Sequence, residues 1–470
     1  MTVCAHSMDS RAALPVTLPR PDPTIAYWQD PPATIANHRT TESLPTHVST
    51  VILGSGITGA SIAYRLLTKR PSDSILILEA RAACSGASGR NGGHTKCASY
   101  RSFLDNAQAL GEEEAVRIAR FEYSCMKSVH AFAREHNIPC DSWEGDTVDV
   151  IYDQGQWHSA RRAVVALQKR LGPNDPTARY QFWNSEEAEK KFLTPGAVGA
   201  VSYEAGSLSA YKFVVGVLNL ALDLGLNLQT NTPATSLTKM KDGWDVNTAR
   251  GTVHAKRIIL ATNGYTASVY PSLQGSIVPL RGHVSVHRPG SGIPTTGLST
   301  TYSFIYADGY DYMTSRPNGS DFAGDIVIGG GVTKAERNGI LEFGTTDDTT
   351  TEPSITQYLK ECTATSFGQH WGTDNPQGRV SSEWSGIMGY SADGLPLVGK
   401  IPGQKDLFIA ASFQGHGMVL SFLTAKALVE LMDEHDGDSL HRWFPRAFLV
   451  TTSRVATKFS GRLHTTAAPE

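Results

Sequence analysis

Two glycine-rich stretches carry most of the chemistry legible in this chain. The first, GSGITG, sets Gly54, Gly56 and Gly59 in a G-x-G-x-x-G spacing. The second, GASGRNGGHTK, threads Arg90, Asn91, His94 and Lys96 among Gly86, Gly89, Gly92 and Gly93. The first pattern suits a pyrophosphate: one glycine allows the tight turn, the next lets backbone approach the phosphates, and the third lets helix and strand pack closely. A helix N-terminus then faces the negative charge. Glu79 follows at the end of the next strand, where a carboxylate accepts ribose hydroxyls. Spacing alone leaves NAD and FAD open.

The elements needed to position these groups are present. VSTVIL reads as a buried strand, ITGASIAYRLLTKR as an amphipathic helix and SILILE as a second buried strand, which together make a βαβ unit. Helical periodicity recurs at EEEAVRIARFEYSCMKSVHAFAREHN, GQWHSARRAVVALQKRL, SAYKFVVGVLNLALDLGL and MVLSFLTAKALVELM. Strands are expected at TVDVIY, NLQTNTPATSL, WDVNTA, KRIILATNG and through 276–331, with RPNGSD as a hairpin turn.

Bulk properties set outer bounds. The chain has 470 residues, enough for two domains, with 40% hydrophobic and 19% charged residues. A net charge of −3 gives no reason to expect nucleic acid or an anionic membrane as partner. No apolar run is long enough to span a bilayer. Six cysteines without CxxC pairs argue against a zinc site, so no metal is expected. With no secretory or peroxisomal signal, a cytoplasmic location is the expectation.

The pieces GSGITG, LEAR, GASGRNGG, ATNGY, EWSGIMGYSADGLPLVG and FQGHGM stand in an order that resembles the D-amino-acid-oxidase-like FAD oxidoreductases, a glycine/sarcosine oxidase superfamily. Within it the chain looks most like the gamma-glutamylputrescine-oxidase-like branch and its fungal relatives. The resemblance implies an α/β fold: a Rossmann-type FAD-binding domain from 46–105, 196–275 and 380–450, interleaved with an α+β substrate domain on an antiparallel sheet from 106–195 and 276–379. Residues 1–45 are expected as a loose N-terminal arm, in which the aromatics of TIAYWQDPP either dock on the body or belong to a disordered tail, and 451–470 as a C-terminal tail.

The resemblance also assigns contacts to non-covalent FAD. They come from Gly54, Gly56, Ile57, Gly59, Glu79 and Arg81 on the first loop, and from Ala87, Ser88, Arg90, Asn91, Gly92, Gly93 and His94 on the second. Thr262 and Gly264 belong to the third group, and Gly415, His416, Gly417 and Met418 to the last. His416, and a helix dipole behind FQGHG, would favour reduced flavin. Lys96 is either a functional cation beside the flavin or a solvated loop lysine. Met388, Tyr306 and Tyr312 are expected in the substrate pocket; the aromatics of 302–312 equally suit ordinary sheet packing.

Carboxylate anchors of amino-acid-oxidising relatives are replaced by Met388 and Val419, and an oxygen-activating lysine by Val327. This favours an amine without an α-carboxylate, oxidised to an imine with O2 as acceptor and H2O2 as product. An anchor at Arg281 or Arg316 would reverse that inference. The alternatives are an amino-acid or 2-hydroxy-acid dehydrogenase using another acceptor, and a catalytically silent flavin-binding protein.

Overall fold

Residues 7–433 and 438–461 are described by a computed structural model. Cys4, the first six residues of the expected arm and residues 462–470 of the expected tail lie outside the described residues.

The apolar runs around the first glycine loop build a sheet buried on both sides, as parallel strands require. Its order is Leu397–Lys400, Leu407–Ala411, Gly251–Leu260, His47–Leu53, Ile75–Leu78 and Asn227–Gln229; the hairpin Ala234–Met240 and Gly243–Thr248 extends from Gly251–Leu260. Pairing is parallel from Leu407–Ala411 through to Asn227–Gln229. Helices Ile57–Lys69, Ala210–Asp223, Ser421–Met432 and Glu112–Glu135 share one apolar core on this sheet. Strand His47–Leu53 is flanked by Ile75–Leu78 and by a strand from far along the chain, Gly251–Leu260. Gly54 therefore sits at the carboxyl end of a switch point, where doubly wound sheets bind ligands.

The second sheet runs Val380–Ser391, Ile277–His287, Ile326–Gly329, Tyr310–Ser315, Thr301–Ile305, Trp143–Ile151, Gly199–Ser207 and His94–Thr95, with Tyr180–Asn184 also on Gly199–Ser207. It is antiparallel except where Thr301–Ile305 runs parallel to Trp143–Ile151. The sheets divide the chain at other points than the sequence reading placed them. Val380–Ser391, Gly199–Ser207 and His94–Thr95 belong to the second sheet, because each is hydrogen-bonded there along its length.

Neither terminus behaves as a loose segment where it is described. Tyr27, Trp28 and Gln29 hydrogen-bond to Asp325, Asn91 and Cys84. At the other end Phe459 is buried and stacks on Phe343, while Arg454 pairs with Asp393. The expected turn at RPNGSD does join antiparallel strands, through residues 316–325.

Gly59 shows how tight the first loop is. A Cβ there would lie 2.0 Å from the Gly54 carbonyl oxygen, which is backbone and cannot step aside. Gly59→Ala is expected to cost about 1–3 kcal/mol through overpacking, read as a lower thermal midpoint of the cofactor-free protein.

Candidate active site

The loop after His47–Leu53 is held flat by its own packing. Gly54 has φ +101°, and a Cβ on it would sit 2.7 Å from the Ala261 carbonyl oxygen. Gly56 caps helix Ile57–Lys69, and the Ile57 N–H donates to Ser88 Oγ at 2.9 Å. The helix N-terminus thus meets the second glycine loop directly. Glu79 is aimed by the first loop: one oxygen accepts from the Ser55 N–H and hydroxyl at 3.0 and 2.7 Å, the other from the Arg81 N–H at 3.0 Å.

Two residues expected as cofactor contacts have most of their side-chain donors on protein partners. Arg81 places Nη1 3.0 Å from both Asp348 carboxylate oxygens and gives Nη2 to the Ser85 carbonyl. Arg90 donates Nε to the Ser385 carbonyl at 2.7 Å and Nη2 to Thr24. Burial lowers the Arg90 pKa to about 10, with Asp348 acting in the opposite direction. These arginines shape the loops through their side chains, because a buried guanidinium must be paired.

The rest of the second loop is clamped by indoles and small residues. Trp28 Nε1 donates to the Asn91 carbonyl and Trp384 Nε1 to the Arg90 carbonyl, at 2.5 and 2.8 Å. Asn91 closes a turn on the Gly93 N–H at 2.7 Å and reaches Ser88 and Met418. Ala87–Gly89 forms a short 3-10 turn. Gly92 lies under Tyr312, whose ring would be 2.4 Å from a Cβ there.

Asn263, which the sequence reading passed over between Thr262 and Gly264, joins the remaining segments. Its Oδ1 accepts from the Ser412 and Phe413 N–H groups at 2.9 and 3.3 Å. Gly264 packs on the Met388 carbonyl. A Cβ on Gly415 would lie 3.0 Å from Tyr390 Oη and 3.3 Å from Met388 Sδ. His416 Nδ1 lies 3.1 Å from the Gln414 carbonyl and caps a 3-10 turn, Gly417–Val419. Helix Ser421–Met432 starts only after that turn, so the dipole expected directly behind FQGHG is displaced along the chain.

Met388, Tyr390, Gly415, Tyr312 and Gly92 are therefore neighbours; burial, with Tyr310 and Tyr390 nearby, keeps the Tyr312 phenol protonated. Tyr306 is not with them. Paired residues share a face, and the pairs Ser303–Tyr312 and Ile305–Tyr310 define the face with Tyr312. Tyr302 and Phe304 point the other way, and Tyr306 stacks on Tyr152 at 5.6 Å in that outer layer.

On the inner face His94 Nε2 lies 2.8 Å from Thr301 Oγ1, and burial together with Lys96 holds it neutral. Lys96 donates to Asp149 Oδ1 at 2.9 Å and to Ser303, while Asp149 Oδ2 accepts from Tyr100 and Tyr203 at 2.7 and 3.0 Å. Lys96 is thus neither a solvated loop lysine nor an unpaired cation. Just beyond it Ser99 donates to Glu122, a carboxyl that burial pushes up to about 8.

The two arginines that could have reversed the substrate inference are engaged. Arg281 meets Glu342 at 2.6 and 3.1 Å, and Arg316 meets Asp141 at 3.1 Å. Val419 and Val327 are buried in separate apolar clusters.

These residues fit FAD. The glycine loop, helix N-terminus and Glu79 converge at one strand edge. Buried polar atoms without a protein partner, Ser85 Oγ, Arg81 Nε and Arg90 Nη1, lie on the flanking loops.

The family described as FAD dependent oxidoreductase matches residues 49–431. The chain is similar to gamma-glutamylputrescine oxidoreductase of Escherichia coli strain K12, 20% identical over 396 residues, or 81% of this chain and 82% of that protein. It is equally 20% identical to a probable oxidoreductase, OrdL, of Haemophilus influenzae, with 82% of each covered. The crystal structure of glycine oxidase from Geobacillus kaustophilus superposes with a TM-score of 0.69 at 20% identity, covering 87% of this chain and 99% of that one. At that identity the likeness shows the fold.

Asp149→Asn leaves the Lys96 ammonium buried without its carboxylate and is expected to cost about 3–5 kcal/mol in urea unfolding. Replacing both partners with Leu and Met should recover much of that loss. Glu122, whose folded pKa is raised, contributes stability that is complete below about pH 4.3 and is lost as pH climbs through about 8. Glu122→Gln removes this slope, so its stability relative to the parent protein should rise between about pH 5 and about pH 9.

Proposed function

Since this chain belongs to the FAD-dependent oxidoreductase family, we propose that it oxidises a primary or secondary amine lacking an α-carboxylate to the imine, with oxygen as acceptor. FAD is held without a covalent bond. One observation carries the substrate reading. Among the described residues Met388, Tyr390, Tyr312 and Gly415 form a surface without a cation, and the two arginines able to supply one, Arg281 and Arg316, are paired with Glu342 and Asp141. A carboxylate on the reacting carbon would be desolvated there without a charge partner, which is costly. An amine entering as the free base meets no such penalty. Similarity to the E. coli oxidoreductase acting on an amine supports the same choice.

When bound, FAD supplies the two-electron acceptor for the amine C–H bond. The Gly54–Gly59 loop and the N-terminus of Ile57–Lys69 would hold its pyrophosphate and Glu79 its ribose; the Ala87–Gly93, Thr262–Gly264 and Gly415–Met418 segments would hold the rest. Protein groups orient rather than react: Tyr312 and Met388 present a dry surface, and the Tyr312 phenol keeps its proton. Two electrons and a proton leave the amine carbon and a second proton leaves the nitrogen as the C–N bond becomes a C=N bond, water then hydrolysing the imine to a carbonyl compound and ammonia or an amine. Oxygen takes two electrons and two protons to give hydrogen peroxide. That choice of acceptor rests on the resemblance, since Val327 stands where relatives have a lysine.

Anaerobic bleaching of the bound flavin tests the proposal. Carboxylate-free amines are expected to bleach it, with rapid recolouring and stoichiometric peroxide on readmission of air. Bleaching by α-amino or 2-hydroxy acids alone would overturn the substrate reading, and slow recolouring would overturn oxygen.

A further inference from the structure

One cation on the outer layer of the second sheet is held by rings alone. Lys334 ends the short 3-10 turn Val332–Lys334, and its ammonium lies 4.9 Å from the centroid of the Tyr358 ring and 5.7 Å from that of Tyr306. Lys334 is exposed, and among the described residues it makes no hydrogen bond or ion pair. Tyr152 stacks on Tyr306 at 5.6 Å, so two tyrosines from the ends of neighbouring strands meet one from helix Pro353–Phe367. Burial keeps all three phenols protonated, and the rings therefore offer neutral π faces, which attract a cation.

Behind Tyr358 lies an acid without a basic partner. Asp311 is 2% exposed. Its oxygens accept from the Gly331 N–H at 2.9 Å, the Tyr358 hydroxyl at 2.5 Å and the Cys362 thiol at 3.4 Å, and among the described residues it makes no ion pair. Burial raises its carboxyl pKa, and Lys334 is the charged group that acts against this. The Tyr152 hydroxyl is buried with no hydrogen-bond partner among the described residues, a cost that a bound N–H donor would remove. The tethered Lys334 ammonium stops at the rings and bonds neither Tyr152 nor Asp311; a free ammonium ion has no tether. Asp311 pairs with Phe304 and so faces away from Tyr310 and Tyr312, which puts the sheet between this cluster and Met388 and Tyr390.

We propose that Tyr152, Tyr306 and Tyr358, with Asp311 behind them, form a binding site for a small alkylammonium ion carrying an N–H, which displaces the Lys334 ammonium from the rings. The site is separate from the flavin site and does not depend on which compound is oxidised there.

Calorimetric titration of the FAD-loaded enzyme, under anaerobic conditions and against sodium chloride of equal ionic strength, tests this. The probes are trimethylammonium, which carries an N–H, and tetramethylammonium, which carries none. Trimethylammonium should bind more tightly. Lys334→Gln should raise its affinity about threefold to tenfold by removing the competing cation, Lys334→Arg should not, and Tyr306→Leu should abolish binding. The flavin absorption spectrum should stay unchanged throughout. No binding to the parent, equal affinity for the two ions, or equal affinity in the parent and Lys334→Gln overturns the proposal. Binding that survives Tyr306→Leu or perturbs the flavin also overturns it, because the ion then sits elsewhere. Lys334 is exposed and its substitution leaves the packing intact, so that variant decides even where the thermal midpoint shows Tyr306→Leu to be misfolded.

Discussion

A single buried carboxylate, that of Asp348, fastens the segment after strand Ile75–Leu78 and the second glycine loop to each other and, through Thr24, to the second sheet. Arg81, leaving the first sheet beside Glu79, places its guanidinium on Asp348, and Arg90 of the second loop approaches it at 3.8 Å. The Asp348 carbonyl receives Thr24 of the N-terminal arm, and Thr24 receives Arg90 and the Ser385 N–H. One hub thus joins the arm, the segment that holds Arg81, the second loop and strand Val380–Ser391. Buried ions need pairing of this kind, and of the two guanidiniums Arg81 Nε and Arg90 Nη1 alone have no hydrogen-bond partner among the described residues. The hub also aligns a site shared between two sheets: a shift of either sheet would part these groups. The cofactor cradle therefore inherits its geometry from ion pairs that lie behind it.

This explains which parts of the site were legible in the sequence. Gly54, Gly56, Gly59 and Glu79 belong to one βαβ unit, where strand, turn and helix follow one another and local pattern determines geometry. Arg81 and Arg90 sit in equally clear motifs, but their partners come from Asp348 and from Thr24 and Ser385, far away along the chain. No local period reveals such pairing, and the motif alone pointed both side chains at the cofactor. The arm was open between docking and disorder for a related reason. Its Pro- and Thr-rich composition lacks periodicity, yet it docks as an irregular segment through Trp28, Gln29 and Thr24, which need no regular structure to bond.

The aromatic residues of 302–312 show a different limit. Period-two alternation separates the faces of a strand but does not say which face looks inward. Tyr302, Phe304, Tyr306, Tyr310 and Tyr312 all fall at even positions, as though they formed one row. The hairpin between the strands pairs Ser303 with Tyr312 and Ile305 with Tyr310, which moves the last two tyrosines to the face opposite the first three. Parallel pairing of Thr301 with Thr147 and Ser303 with Asp149 then makes that inner face polar, while the outer face packs on helix Pro353–Phe367. Register, fixed by partners rather than by neighbours, decides which tyrosines are near the chemistry.

The polar inner face also bears on why Lys96 is where it is. Lys96, expected either as a cation beside the flavin or as a solvated loop lysine, is here locked to Asp149 and Ser303, and Asp149 is locked to two phenols. Such a network resists rearrangement, because removing any member leaves a buried donor or acceptor unmet. It therefore ties the end of the second loop, through Lys96, to the strands that carry Asp149 and Ser303. In amine oxidation the bound flavin accepts the electrons, so rigid orientation and exclusion of water are what the protein has left to provide.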